Sequence, residues 1–161
     1  MPDTRHSSSL ELIIQGFAKK GWSIAFAESC TGGRLSADLT TVPGSSDVVA
    51  GSAVCYQLQT KRKVLGIDYV NENNVVSQRV AQDMAVAARK LYEVHVGVGT
   101  TGYLDGDSPE AYWAIVYENE GEVPLLWKHV TFSAYAPRSL NREILVEKVM
   151  HTLADLARRT E

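Results

Sequence analysis

The stretch Ala27-Glu28-Ser29-Cys30-Thr31-Gly32-Gly33 decides how the rest of the chain is read. Before it, Trp22 to Ala27 has a continuously apolar or small interior, the pattern of a central strand buried on both faces. After it, Arg34 to Thr40 places Leu35 and Leu39 four residues apart, as one face of a helix requires. A strand, a Ser/Thr/Gly turn and a helix start therefore follow one another. The first amides of a helix lack internal partners and favour negative charge at its N-terminus. A serine hydroxyl beside them can attack a carbonyl while the amides hold the oxyanion. The same residues also fit a structural role, with Ser29 or Thr31 capping the helix and the glycines making the turn. Taken alone, the stretch leaves both roles open.

Working outward, Met1 to His6 reads as a loose polar lead-in, and Ser7 to Ser9 offer N-caps for a helix. Its apolar positions Leu10, Ile13, Ile14, Phe17 and Ala18 form one face, and Lys19-Lys20-Gly21 ends it. Downstream, Gly44-Ser45-Ser46 is a second small polar turn. Val48 to Tyr56 reads as a strand whose small residues Gly51, Ser52 and Ala53 mark a close approach. Gln57 to Leu65 fits a short helix carrying Lys61, Arg62 and Lys63, stopped by Gly66. Ser77 caps a longer helix packing through Val80, Met84, Ala87, Ala88 and Leu91. Val94 to Thr100 is another strand, followed by a loop from Thr101 to Pro109. Ala111 to Tyr117 and Leu125 to Phe132 read as an antiparallel hairpin, and Ser139 to Arg159 as a long closing helix. Helices alternating with strands predict an α/β fold: a three-layer α/β/α sandwich with a mixed, mostly parallel sheet that includes a C-terminal antiparallel hairpin. No linker or internal repeat divides residues 1–161, so a single domain is expected.

Composition narrows the function classes. A net charge of −3 gives no general pull toward nucleic acid or acidic membrane surfaces. No apolar run approaches the roughly 20 residues of a membrane span, and no signal-type segment opens the chain, so a cytoplasmic protein is expected. The two cysteines, Cys30 and Cys55, form neither a disulfide framework nor a zinc motif. No P-loop and no G-x-G-x-x-G opens a helix after a strand, which argues against an ATPase or a dinucleotide-binding dehydrogenase. No metal and no cofactor is expected.

The polar clusters fall at strand ends and turns, where open α/β sheets bind ligands. They are Ser29 to Gly33, Gly44 to Ser46, Tyr56 with Lys61, and the loop from Gly99 to Gly106. The histidines His6, His95, His129 and His151 all lie outside these glycine-rich turns, so a Ser-His-Asp triad has no base. Lysine is the usual substitute, and Lys61 qualifies if desolvation lowers its pKa; otherwise it is a solvated surface lysine. Cys30 reads as a small packing residue. Arg138 and Arg142, four apart on the last helix, form either a phosphate clamp or part of a solvated face.

Taken together, these clusters resemble the CinA C-terminal domain family, the nicotinamide-nucleotide amidases. The resemblance rests on Ala27 to Gly33, Gly44-Ser45-Ser46, Gly51-x-x-Val54-x-Tyr56 followed by Lys61, Leu65-Gly66, Val76-Ser77, Gly99-x-x-Gly102 with Gly106, and Arg138-x-x-x-Arg142. It implies an α/β/α fold and removal of ammonia from nicotinamide mononucleotide, a small-molecule nucleotide, without a metal. It also implies a homo-oligomer. Carried over, Ser29 is the nucleophile, Lys61 its base, and Tyr56 assists in positioning or proton transfer. The amides of Thr31, Gly32 and Gly33 would form an oxyanion hole or a phosphate cradle. Gly44, Ser45, Ser46, Gly99, Gly102, Arg138 and Arg142 would line the substrate pocket. The chain departs from the family pattern between Gly99 and Trp113. Tyr103 and Asp105 replace a proline and a glycine, and Glu110, Tyr112 and Trp113 add charge and bulk that are expected to border the substrate. An amidase and a diverged, inactive nucleotide-binding module both follow from this pattern.

Overall fold

The architecture was obtained as a computed structural model, which describes residues 4–159. Five strands form one sheet in the order β2-β1-β3-β4-β5. They are β1 (Ile24–Glu28), β2 (Val49–Val54), β3 (Val96–Tyr103), β4 (Glu110–Tyr117) and β5 (Leu125–Thr131). Strand β1 runs parallel to both β2 and β3, whereas β4 pairs antiparallel with β3 and β5. Helices α1 (Thr4–Lys20), α2 (Arg34–Leu39) and α5 (Arg138–Arg158) cover one face; α3 (Leu58–Leu65) and α4 (Gln78–Tyr92) lie on the other. The chain is the expected α/β/α sandwich with a mixed sheet.

The two faces are packed by different rules. Toward α1 and α5 the strands present Ile24, Phe26, Val96, Val98, Trp113 and Ile115, a layer of large side chains closed by Phe17, Leu145 and Leu153. Toward α4 they present Ala25, Ala27, Gly97, Gly99 and Ala114, all fully buried or without a side chain. Alternation along a strand produces this split, because successive residues face opposite sides. The small face lets α4 lie almost on the backbone. A Cβ on Gly97 would stand 2.2 Å from the Ala85 carbonyl oxygen, and one on Gly99 2.4 Å from that of Ala81.

Three expectations change. The N-terminal helix already begins at Thr4, because His6 Nε2 meets Asp38 Oδ2 on α2 at 3.1 Å and fixes the turn. The remainder of the expected lead-in, Met1 to Asp3, lies outside the described residues. The loop expected from Thr101 is strand through Tyr103, since Thr101, Gly102 and Tyr103 find partners in Tyr112, Ala111 and Glu110. Only residues 104–109 turn. The bulky residues of that region therefore enter β4. Trp113 sits in the large-residue core with Nε1 donating to Thr152 Oγ1 at 3.3 Å, and Tyr112 stacks on His129 with ring centres 4.3 Å apart.

Candidate active site: a buried serine–lysine pair

Because β1 and β2 are parallel and in register at Glu28↔Val54, their C-terminal ends share one edge of the sheet. The chain leaves β1 into the Ser29 turn and leaves β2 into Cys55 and Tyr56, with Cys55 N donating to Glu28 O at 2.7 Å. Gly32 and Gly33 make the turn in consecutive left-handed conformations, φ 62° and 95°, where a Cβ would be strained. Neither Ser29 nor Thr31 caps the following helix. Gly33 is the N-cap residue and makes no side-chain bond. The cap comes from Glu28, fully buried at the end of β1. Its carboxylate accepts from Leu35 N at 3.0 Å, Ser36 N at 3.3 Å, Ser36 Oγ at 3.0 Å and Ser52 Oγ at 2.8 Å. Arg34 N is satisfied by Thr31 O, and Gly32 N by Ser29 O. The amides of Gly32, Arg34, Leu35 and Ser36 are thus occupied from within the chain. Ser29 is left unneeded as a cap.

Helix α3 delivers Lys61 to that serine. Gln57 stands at its N-cap position without a side-chain bond, and Gly66 ends it at φ 70°. Lys61 is 1% exposed, unusual for a lysine. Its Nζ lies 2.8 Å from Ser29 Oγ and donates to Cys55 O at 2.8 Å and Tyr56 O at 3.0 Å. Burial lowers its pKa from the ordinary 10.5, with the nearby Cys55 and Cys30 acting in the opposite direction. No carboxylate pairs with Nζ among the described salt bridges. Two main-chain carbonyls fix two of the three Nζ directions, and the third points at the serine hydroxyl. A neutral amine held this way aims its lone pair at Ser29 Oγ–H. Cys30, beside the serine, is pushed up to about 12 by burial and stays a thiol.

Above the pair opens a cavity of about 520 Å³. Leu58, Val75 and Val76 supply apolar wall; Tyr56, Tyr103 and Arg138 stand at its rim. Thr101 Oγ1 donates to Val75 O at 2.6 Å, tying β3 to the segment before α4. Of the expected pocket residues, Gly102 and Arg138 belong to the lining, and the others are distributed differently. Thr31 is fully buried against Thr100, with hydroxyls 3.0 Å apart. Gly99 lies mid-strand beneath α4, where packing requires it. Gly44, Ser45 and Ser46 precede β2 in a 3-10 turn at the opposite edge of the sheet, next to the Ile24↔Val49 pair, so in this chain they do not line the cavity. The parallel strand between them and Tyr56 carries that turn away. Arg142 packs beside the Ser29 turn, with one terminal nitrogen 3.5 Å from where a Gly32 Cβ would be and its buried Nε lacking a partner.

Glu28, Thr100 and Thr101 are the residues that the sequence reading passed over. Glu28 carried a signal: a carboxylate at a strand end, seven positions before a helical amide it caps. Two other hollows, about 350 Å³ beside His6, Arg34 and Glu143 and about 590 Å³ beside Lys19 and Arg158, hold no nucleophile set against a buried base. Among the described residues, no group of three or more His, Cys, Asp or Glu side chains is placed to hold a metal, and no helix is long and apolar enough to cross a membrane.

Residues 6–155 match the family described as the CinA C-terminal domain. The chain belongs to that family. Among curated relatives, a CinA-like protein of Gemmatimonas aurantiaca is 36% identical over 120 residues, which is 70% of this chain and 28% of that protein. A CinA-like protein of Synechococcus is 34% identical over 114 residues, 68% of this chain and 27% of that one. This CinA C-terminal domain thus spans about a quarter of the length of the curated relatives it matches. In three dimensions it is similar to the competence/damage inducible protein CihA of Agrobacterium tumefaciens. The TM-score is 0.87 at 26% identity, covering 98% of this chain and 99% of the other. A competence damage-inducible protein A of Klebsiella pneumoniae, at 20% identity, shares the fold with a TM-score of 0.83, covering 96% and 99% of the two chains.

Proposed function

We propose that the protein is an amidohydrolase that removes ammonia from the carboxamide of nicotinamide mononucleotide or a close relative. The observation that carries this reading is the Ser29–Lys61 pair at 2.8 Å, at the floor of a cavity, with no carboxylate ion-paired to the lysine among the described residues. Desolvation favours the neutral amine, the form that accepts a proton. Ser29 Oγ attacks the carboxamide carbon as its proton passes to Lys61 Nζ. The tetrahedral adduct collapses, Lys61 returns the proton to the leaving nitrogen, and ammonia departs from an acyl ester on Ser29. Water then attacks the ester with Lys61 again as base. The carboxylate leaves and the serine is restored. One water is consumed and one ammonia released. No metal or cofactor enters this cycle. The fixed Cys55 and Tyr56 carbonyls hold the base in one orientation through both halves.

The second reading, a nucleotide-binding module without turnover, draws on the rim, where Asp105 occupies Arg138. Ammonia release from nicotinamide mononucleotide by the parent protein and by Ser29→Ala separates the two. The amidase reading expects release that falls about 10³-fold or more in the variant. Equal rates, or binding with no release from either form, would leave the module.

A further inference from the structure

The rim of the cavity holds a charge arrangement that the proposed chemistry does not use. Arg138, the first residue of α5, directs one terminal nitrogen to Asp105 Oδ1 at 2.7 Å and the other to Tyr56 Oη at 2.9 Å. Arg138 and Tyr56 line the same cavity as Ser29 and Lys61. Asp105 is presented by a fastened backbone. Its neighbour Leu104 is buried and accepts from Asn141 Nδ2 at 2.8 Å, and Gly106 turns the chain at φ 90°. Both partners of the ion pair are half exposed, 51% and 53%, so the contact adds little to stability.

Its effect is on what may approach. The other cations of the lining are directed elsewhere: Lys61 toward the serine, and Arg62 toward the Val70 carbonyl. Glu72 adds a negative charge to the same wall. An anionic group reaching Arg138 must either displace the Asp105 carboxylate or sit beside it. We infer that Asp105 is a specificity residue: by occupying Arg138 it biases the cavity against amides whose far end carries a phosphate, and toward the corresponding riboside with an uncharged end. The amide part of this statement rests on the proposed amidase; the charge selection does not. A like charge about 4 Å from a bound anion costs about five- to tenfold in affinity in a water-like dielectric.

The test compares the parent, Asp105→Asn and Asp105→Asn/Arg138→Gln. Inorganic phosphate is titrated calorimetrically at low ionic strength, and hydrolysis is followed on nicotinamide mononucleotide and its dephosphorylated riboside. Asp105→Asn is expected to bind phosphate about five- to tenfold more tightly than the parent, and the double variant to lose that gain. The ratio of kcat/KM for mononucleotide over riboside rises by a similar factor, through KM. No gain in phosphate affinity, or a gain that survives loss of Arg138, overturns the inference whatever the hydrolysis results. A gain without hydrolysis of either amide leaves the charge selection standing and removes the amidase reading.

Discussion

The floor and the rim of the cavity are built on opposite principles. At the floor, Glu28 is fully buried and Lys61 1% exposed, and their polar atoms have partners within the chain. At the rim, Tyr56 is 59% exposed, and Arg138 and Asp105 are held by each other and by one phenol. Buried polar networks are worth keeping only when fully satisfied, and they fix one geometry. Exposed pairs exchange readily with solvent or ligand. Substitutions at the floor should therefore destroy the reaction or the fold, and substitutions at the rim should change only which molecule is accepted.

The largest expected effect is at Lys61. Lys61→Met keeps the buried stem and removes the base, so turnover should fall about 10³-fold or more while the far-ultraviolet circular dichroism is unchanged. Residual turnover within tenfold of the parent would move the base elsewhere. The parent's pH–rate profile supplies the companion measurement. Burial holds the Lys61 value below 10.5, so the rising limb of kcat/KM should have its midpoint under that figure. Stability follows the same proton. The unfolded chain binds it more tightly than the fold, so stability increases with pH between the lowered value and 10.5 and is lost as pH falls through that window. Lys61→Met should flatten this slope in denaturant titrations.

Next comes Glu28, which joins the floor to the fold. Glu28→Ala strands the Leu35 and Ser36 amides and the Ser52 hydroxyl in a buried site, for a loss of about 3 kcal/mol by urea unfolding. Glu28→Gln keeps one acceptor oxygen and should recover about half of that. Equal losses in the two variants would mean that packing, not hydrogen bonding, explains the cost.

Much of this was legible in the chain because it follows from local rules. The alternation of apolar runs, the Ser77 cap whose hydroxyl accepts from Val80 N, and the Gly66 stop all stand where the pattern puts them. Ser29 and Lys61 were candidates on the residues alone, each with a structural alternative, and only the family resemblance implied that they act as a pair. What could not be read depends on strand pairing. Whether Thr101 to Tyr103 is loop or strand depends on β4 offering partners, which no property of those three residues reveals. The same holds for Gly44 to Ser46: their motif is recognisable, but only the direction of β2 shows that they lie at the far edge. Gly99 looked like a binding glycine and is a packing glycine, because the helix that crowds it is distant in sequence.

At the rim, Tyr56 gives a sharper contrast than its position beside the pair suggests. Lys61 is held by the Tyr56 carbonyl, whereas the phenol reaches outward to Arg138. Tyr56→Phe should leave kcat within about threefold and shift KM for the phosphorylated substrate by a few-fold, since only a rim hydrogen bond is lost. A fall in kcat of a hundredfold would bring the phenol into proton transfer and erase the division between floor and rim.

The smallest effect is expected at Tyr112, whose bulk would obstruct the pocket had it bordered the substrate as the family pattern implied. In β4 its ring stacks on His129 at 4.3 Å and meets Trp127 at 6.4 Å, outside the lining of the cavity. Its strand partner Thr101 does line the cavity, so the two meet along one rung of the ladder without sharing an environment. Tyr112→Thr removes an aromatic pair on a half-covered sheet face, a loss of about 1 kcal/mol, and should not raise turnover on either the mononucleotide or the riboside. A rise in kcat/KM with the stability cost intact would mean that β3 transmits packing at the outer strands to the rim, and the rim would then be less independent of the fold than its exposure implies.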